Sequence, residues 1–354
     1  MNKFLRHITL LTIALLALAS CDVHEYPGNV DRTAQFVLHL RYDTEMPIYQ
    51  EIRYLTSRNP ENEEPRDVRY IINAYRRSET RDVSRIPDAT FVFTRPATEG
   101  LDYDAVLNLE PGEYQFLVWT DYVLGDTQTD YFYNTDDFAE IQLTSKSNYV
   151  GSTDKRDTFR GELTTSLYNV DELTGSFGEA TIDMRRPMAK FKFISTDYPE
   201  FVRQMLMRQA KKDAAEGKAP ANDETRTIDP DDYNVVFRYS GFMPCSFNMF
   251  TNKPADSWTG VAFSSRLVKI NEQEAELGFD YVFVNGSEAK VSVCVEVYDS
   301  ENNLLANINP IEVPLVRSQL TIVRGEFLTS KATGGVGIVP DFDGEYNIVI
   351  PQYI

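Results

Sequence analysis

The sequence predicts an all-β fold divided into two domains, and composition, local alternation and turn chemistry each point to it. Tyr and Phe number 20 and 21 against two Trp, and valine is frequent, a balance that favours strands over helices. Residues 36–42 place Phe36, Leu38, Leu40 and Tyr42 on one side and His39 on the other, the period of a half-buried strand. Pro111-Gly112 and Asn285-Gly286 each separate runs of strand-forming residues, as the turns of β-hairpins do. A chain of 354 residues, 42% hydrophobic, is long enough for two cores at ~100–200 residues per domain.

The first residues stand apart from this pattern. Lys3 and Arg6 precede an apolar run, residues 8–19, which Thr9 and Thr12 interrupt and which is shorter than the ~20 apolar residues a bilayer crossing needs. It reads as a removable export signal. Leu18-Ala19-Ser20-Cys21 resembles a bacterial lipobox, in which the thiol receives a diacylglyceryl group before cleavage and the freed amine is then acylated. The resemblance implies a signal peptide over residues 1–20 and a lipoprotein anchored through Cys21 to the outer membrane, exposed at the cell surface. Several acyl chains anchor stably where one is marginal. Residues 21–34 are polar, carry Pro27 and Gly28, and read as a tether.

Formal charge is −19, and removal of the signal, which holds Lys3 and Arg6 and no acid, makes it more negative. Such a surface repels polyanions, so nucleic acid is excluded as a partner. Beyond Cys21 only Cys245 and Cys294 remain, and they read as two free thiols, with a bridge between them as the alternative.

After the opening strand, residues 56–67 form a charged loop with two prolines, residues 68–75 a strand, residues 76–85 a second charged loop, and residues 89–94 a strand. Leu109-Glu-Pro-Gly-Glu-Tyr114 predicts a hairpin with Pro111 at the first turn position and Gly112 at positive φ. Residues 121–161 read as a solvated connection with a short strand near Ile141; the alternative is a glycan or Ca²⁺ site built on Tyr131, Tyr133, Asp136 and Asp137. One helix is predicted, over residues 197–217. Asp197 and Glu200 form a capping box, Pro199 sits in the first turn, Phe201, Met205, Leu206 and Gln209 follow helical spacing, and Gly217 stops it after Lys211 and Lys212. Strands follow at 234–239, 260–267, 276–284, 290–298 and 318–328, and a last hairpin ends in residues 346–350.

Chemistry is sparse. The three histidines are His7, His24 and His39, all near the start, and no Gly-x-Ser-x-Gly, Walker loop, dinucleotide fingerprint or His/Cys metal cluster occurs. No catalytic residue, metal site or cofactor is expected, and the chain does not read as an enzyme.

Residues 183–193, containing Met184-Arg185-Arg186-Pro187-Met188, and residues 316–327, containing Arg317 and ending at Gly325-Glu326-Phe327, resemble segments of the Bacteroidota fimbrillin superfamily. With the lipobox and the Leu-x-Pro-Gly-x-Tyr pattern, the chain is most similar to the lipidated FimB-like branch of fimbrial anchor and accessory subunits. The resemblance implies two tandem transthyretin-like Greek-key β-sandwiches over residues 35–183 and 184–354, with the helix inserted in the second. It also implies a role in a pilus: cell adhesion with other fimbrial subunits as partners, joined by β-strand complementation. In shaft subunits of that superfamily an arginine-specific protease removes the first strand. Arg58, Arg66 and Arg77 are the candidate protease-sensitive residues here, and an anchor subunit keeps the strand. The alternative function is a glycan-binding surface lipoprotein, with Trp119, Tyr131, Tyr133 and Trp258 as stacking platforms. The lipobox carries its own test: Cys21→Ala abolishes incorporation of a fatty-acid probe in metabolic labelling, and persistent labelling of the variant removes the lipoprotein assignment.

Overall fold

The structure, a computed structural model, describes residues 33–47, 66–77, 85–125, 128–171, 173–217, 227–286, 289–330, 337–340 and 346–349. The first half contains β1 (Ala34–Tyr42), β2 (Arg66–Arg76), β3 (Ala89–Pro96), β4 (Tyr103–Leu109), β5 (Gly112–Leu124), β6 (Tyr133–Asn134), β7 (Ile141–Leu143), β8 (Phe159–Leu167) and β9 (Ser176–Met184). Seven of these form two sheets of order β4-β1-β9 and β3-β2-β5-β8. They enclose a core of Phe36, Leu38, Leu40, Tyr70, Ile72, Phe116, Val118, Phe159 and Met184.

The second half begins with β10 (Met188–Ser195) and helix α1 (Tyr198–Ala215), followed by β11 (Tyr233–Tyr239), β12 (Phe242–Pro244), β13 (Ser246–Asn248), β14 (Lys253–Pro254), β15 (Ser257–Thr259), β16 (Ala262–Arg266), β17 (Val268–Lys269) and β18 (Ala275–Phe283). It continues through β19 (Ala289–Asp299), β20 (Leu304–Leu315), β21 (Leu320–Gly325), β22 (Gly337–Pro340) and β23 (Tyr346–Val349). Its sheets run β17-β18-β10-β21-β23-β22 and β16-β11-β19-β20.

The two halves repeat one topology. In each, the opening strand (β1, β10) is flanked by an antiparallel neighbour (β4, β18) and a parallel one (β9, β21). In each, the facing sheet pairs the next strand (β2, β11) with β3 and β5 or with β16 and β19, and then adds β8 or β20. The chain is a tandem pair of Greek-key sandwiches.

This duplication corrects the reading of both turn signals. Pro111-Gly112 joins β4 to β5 and Asn285-Gly286 joins β18 to β19, yet in each case the two strands lie in opposite sheets. The turns cross between layers instead of closing hairpins. Alternation cannot distinguish the cases, because flanking strands point their apolar residues at the same core either way. Gly286 has φ +88°, as its turn requires, whereas Gly112 already lies in β5 opposite Leu167, outside the left-handed region. An added Cβ at Gly112 would lie 2.8 Å from Arg76 Nε and 3.1 Å from the Tyr114 ring, so a larger residue there requires those side chains to shift. The Tyr114 hydroxyl donates to the Glu110 carbonyl (3.0 Å) and fixes the crossing, an arrangement known from sandwich corners. The turn at Asp299–Asn303, by contrast, does close a hairpin, of β19 with β20.

Helix α1 lies where the spacing predicts, and Gly217 (φ +71°) follows its end. The capping box does not form. Asp197 instead accepts from the Thr329 backbone N–H (2.8 Å) and hydroxyl (2.6 Å), while Glu200 pairs with Arg203. Burial of Asp197 beside the end of the β21 segment outcompetes the local cap. Tyr198, Phe201 and Met205 are buried, and Gln209 is exposed, so only the first two turns pack on the core. Cys245 and Cys294 are both free thiols.

The largest departure from expectation is the segment between β5 and β8. Phe132, Tyr133, Phe138, Ile141, Leu143 and Tyr149 are buried, and they join the core of the second half. Strands β6 and β7 extend a sheet of order β14-β13-β7-β6, with Ile141 opposite Phe247. The connection is a clasp across the two halves. Its polar anchor is Arg156, which meets Asp280 of β18 with both side chains under 3% exposed. The Asp280 carboxylate also accepts from the hydroxyls of Tyr149 and Tyr239, each at 2.7 Å, and from the Tyr281 N–H at 2.8 Å. Removing one member of a buried pair strands the other charge. Asp280→Asn is expected to lower unfolding free energy by about 3–5 kcal/mol in a urea titration, and a loss under about 1 kcal/mol would show the pair to be dispensable.

Candidate functional site

Strand β1 is the element that the assembly expectation concerns, and its surroundings show how firmly it is held. It is the middle strand of its sheet, bonded from Ala34↔Leu109 to Leu40↔Tyr103 on the β4 side and from Gln35↔Ser176 to Tyr42↔Met184 on the β9 side. Phe36, Leu38 and Leu40 are at most 2% exposed. At ~1.5–3 kcal/mol per buried side chain, those three alone rival the ~5–15 kcal/mol net stability of a domain.

Two polar devices reinforce it. Beyond the end of β1, Arg186 donates to the carbonyls of Asp43 (3.4 Å), Thr44 (3.1 Å) and Glu45 (3.2 Å), while its Nε is held by Asp157 at 2.8 Å. Arg186 belongs to the Arg-Arg-Pro segment noticed in the sequence, and its role depends on tertiary contacts with residues about 140 positions earlier. On the outer face of the sheet, His39 Nδ1 lies 2.8 Å from Asp104 of β4 and Nε2 lies 3.3 Å from Glu179 of β9. A ring with carboxylates on both nitrogens is satisfied when doubly protonated, and the bonds to Asp104 and then Glu179 raise its pKa above 6.5. Arg41 also faces the ring: its guanidinium meets Asp104 at 2.7 Å and lies 3.3 Å from His39 Nδ1.

The residues singled out from sequence are not gathered into one site. Cys21 and Arg58 lie outside the described residues. Arg66 does not lie in a loop: its backbone opens β2 opposite Leu124, because the pairing extends two residues beyond the apolar pattern. Arg77 follows β2, is half exposed, and faces Glu113 at 3.6 Å. The stacking platform is corrected too. Trp119 and Tyr133 are fully buried and pack edge to face at 5.5 Å, so neither face is open to a sugar ring. Tyr131 and Trp258 are partly buried against the same core. Asp136 and Asp137 serve their own turn, Asp137 accepting from the Ala139 N–H at 2.7 Å, and no group of three or more His, Cys, Asp or Glu among the described residues is placed to hold a metal.

Sequence reading missed a polar cleft of about 440 Å³ beside β2 and β3, whose lining includes Asn73, Thr90, Asp130, Thr135 and Asp136. Asn73 accepts from the Thr90 hydroxyl (2.7 Å), and Asp130 binds Arg69 (2.7 Å) and Thr135 (3.0 Å). Of these, Asp136 stands in the acidic, aromatic connection noted from sequence; the set comes from two strands and the clasp, so no local motif gathers it.

The fold and these elements define a tandem β-sandwich protein whose N-terminal strand is locked in mid-sheet. The chain belongs to a family of unknown function, DUF6562, whose model matches residues 29–351. No curated protein matches it by sequence. Among solved structures it is similar to a DUF1812 protein of Bacteroides thetaiotaomicron with a suggested polysaccharide-binding role, at 11% identity, covering 78% of this chain and 80% of that one, with a TM-score of 0.42. It is also similar to the fimbrial anchor protein Mfa2 of Porphyromonas gingivalis (10% identity, 78% and 82% coverage, TM-score 0.36). A third is the tip fimbrial protein Mfa3 of the same organism (10% identity, 80% and 81% coverage, TM-score 0.35).

The His39 contacts give a pH dependence of defined sign. A pKa raised on folding adds stability below about pH 6.5, and that contribution disappears as pH rises through the folded-state value. Urea midpoints of the parent and His39→Gln should therefore differ at ~pH 5 and converge by ~pH 8. A gap that is constant with pH would show that the ring's charge is irrelevant.

Proposed function

We propose that this protein is a lipid-anchored outer-membrane fimbrial anchor or accessory subunit, surface-exposed and joined to other subunits by β-strand complementation. The observation that carries the reading is the position of β1: the strand that continues from the polar tether occupies the centre of its sheet, with pairing on both edges and three large apolar residues in the core. Tension on a tether attached there is borne by two ladders of backbone hydrogen bonds loaded together, a mechanical arrangement suited to an anchor. The lipobox at Cys21 and the fimbrillin-like segments support the same reading. Loss of β1 would uncover Phe36, Leu38 and Leu40 and leave two unpaired edges, β4 and β9, that demand a replacement strand. The protein therefore keeps Cys21 and β1 on one intact chain, and a partner binds elsewhere.

N-terminal peptide mapping and intact mass of protein from native membranes test this. The expected species begins at acylated Cys21 and co-purifies with a pilin. Chains that begin after Arg58, Arg66 or Arg77 and are found in detergent-resistant fibres would make this a polymerising shaft subunit.

A further inference from the structure

Among the described residues, exposed large apolar side chains concentrate at the end of the first sandwich where β1 begins. By register, β1 begins there beside the end of β4 (Ala34↔Leu109) and the start of β9 (Gln35↔Ser176). The start of β5 and the end of β8 (Gly112↔Leu167), the end of β2 (Arg76↔Tyr114) and the start of β3 (Ala74↔Ala89) lie at the same end. Among the described residues, four exposed large apolar side chains share it: Ile86 (77% exposed) before β3, and Tyr168 (62%), Val170 (40%) and Leu173 (97%) between β8 and β9. The others, Val106, Met207, Phe242, Val268 and Leu304, fall one each in β4, α1, β12, β17 and β20, and Val150 lies in the connection after β7. Strands β3 and β8 are the two edges of a four-stranded sheet, so Ile86 and the β8–β9 loop are separated by roughly 15 Å, three strand spacings.

Leu173 is presented by a built turn. Asp171 Oδ1 accepts from the backbone N–H groups of Leu173 (2.8 Å) and Thr174 (3.0 Å). The Asp171 N–H donates to the Ser176 carbonyl (2.9 Å), and the Gly175 N–H donates to the Asp171 carbonyl (2.8 Å). The backbone is thus tied on both sides of a leucine whose side chain stands in solvent.

We propose that this end docks on the lipid surface, with Leu173, Val170 and Tyr168 inserted at the boundary between headgroups and acyl chains. The proposal rests on the lipid-anchor reading above. The chain between Cys21 and Ala34 identifies the occupant. Fully extended it spans at most ~45 Å, and as a flexible coil about 20 Å. The β1 entry is therefore the part of the fold held nearest the acylated cysteine, and Leu173 projects from that end. An apolar tip at an interface is covered by entering it, to a depth of ~5–10 Å. Arg76 and Arg77 at the same end are paired with Glu110 and Glu113, so the contact is apolar and does not require anionic lipid.

The test uses the full, natively acylated chain reconstituted into phosphatidylethanolamine vesicles doped with phosphatidylcholine carrying brominated acyl chains. Leu173→Trp is compared with Thr98→Trp, which lies on the exposed connection between β3 and β4, about 25 Å away along the eight-residue β3. Emission from Trp119 and Trp258 is subtracted with the parent protein. Both reporters should float with the vesicles, and bromine should reduce the Leu173→Trp signal about twofold while leaving Thr98→Trp unchanged, as insertion to acyl depth requires. Flotation with no quenching of Leu173→Trp, or with equal quenching of both reporters, overturns the docking and leaves the anchor intact. Failure of either chain to float overturns the anchor reading itself.

Discussion

Burial of both faces of β2 and β5 is the constraint on which the rest of this structure depends. Val68, Tyr70, Ile72, Phe116 and Val118 point into the first core, while Ile71, Tyr75, Leu117 and Trp119 point into the second. A strand covered on both sides has no solvated face, so its sequence reads as a continuous apolar run where a one-sided strand alternates. Covering that outer face is the work of the clasp, whose rings at Phe132, Tyr133 and Phe138 complete the second core. Tyr133, Trp119 and Phe283 of β18 form a three-ring cluster, with centroids 5.5 Å (Tyr133–Trp119), 5.8 Å (Tyr133–Phe283) and 6.4 Å (Trp119–Phe283) apart, which joins the halves through aromatic contact.

The buried carboxylates inside this junction are tolerated because each accepts several hydrogen bonds. Asp280 receives Arg156, two tyrosine hydroxyls and a backbone N–H, and Asp121 receives Arg69 through Nε at 2.9 Å and Nη2 at 2.7 Å. Such networks specify an arrangement more than they add net stability, since the desolvation of each charge offsets much of its attraction. Their positions, across elements that hydrophobic packing alone could let slide, suit that role. Arg186 acts similarly at the other boundary, binding Asp157 and the backbone that follows β1, so the linker between sandwiches also grips the N-terminal strand.

The duplicated topology shows where the two halves have diverged. At the step from the fifth to the sixth strand, the second half has the short Asp299–Asn303 turn and the first has the clasp. At the edge beyond the last parallel strand, β21 is followed by β23 and β22, while β9 remains the end of its sheet. The halves thus differ in what is added at sheet ends and connections, while the order of seven strands is the same. Loops and edges are where a sandwich can change without disturbing the layers that bury its core.

The sequence by itself determined several of the local elements, though not β8 or β20. Strand β1 and its inward face, the helix and its stop at Gly217, and the all-β class follow from period, propensity and turn chemistry, which act over a few residues. Tertiary structure decided which strands pair, and so turned Pro111-Gly112 and Asn285-Gly286 from hairpins into crossings between sheets. It also moved Asp197 from a helix cap to a bond with Thr329, Trp119 and Tyr133 from a candidate sugar platform to the junction core, and the acidic, aromatic connection after β5 from solvent to the interior. In each case the deciding partner lies tens to hundreds of positions away. Burial against such a partner exceeds the few tenths to about one kcal/mol by which local preferences differ, so those preferences yield.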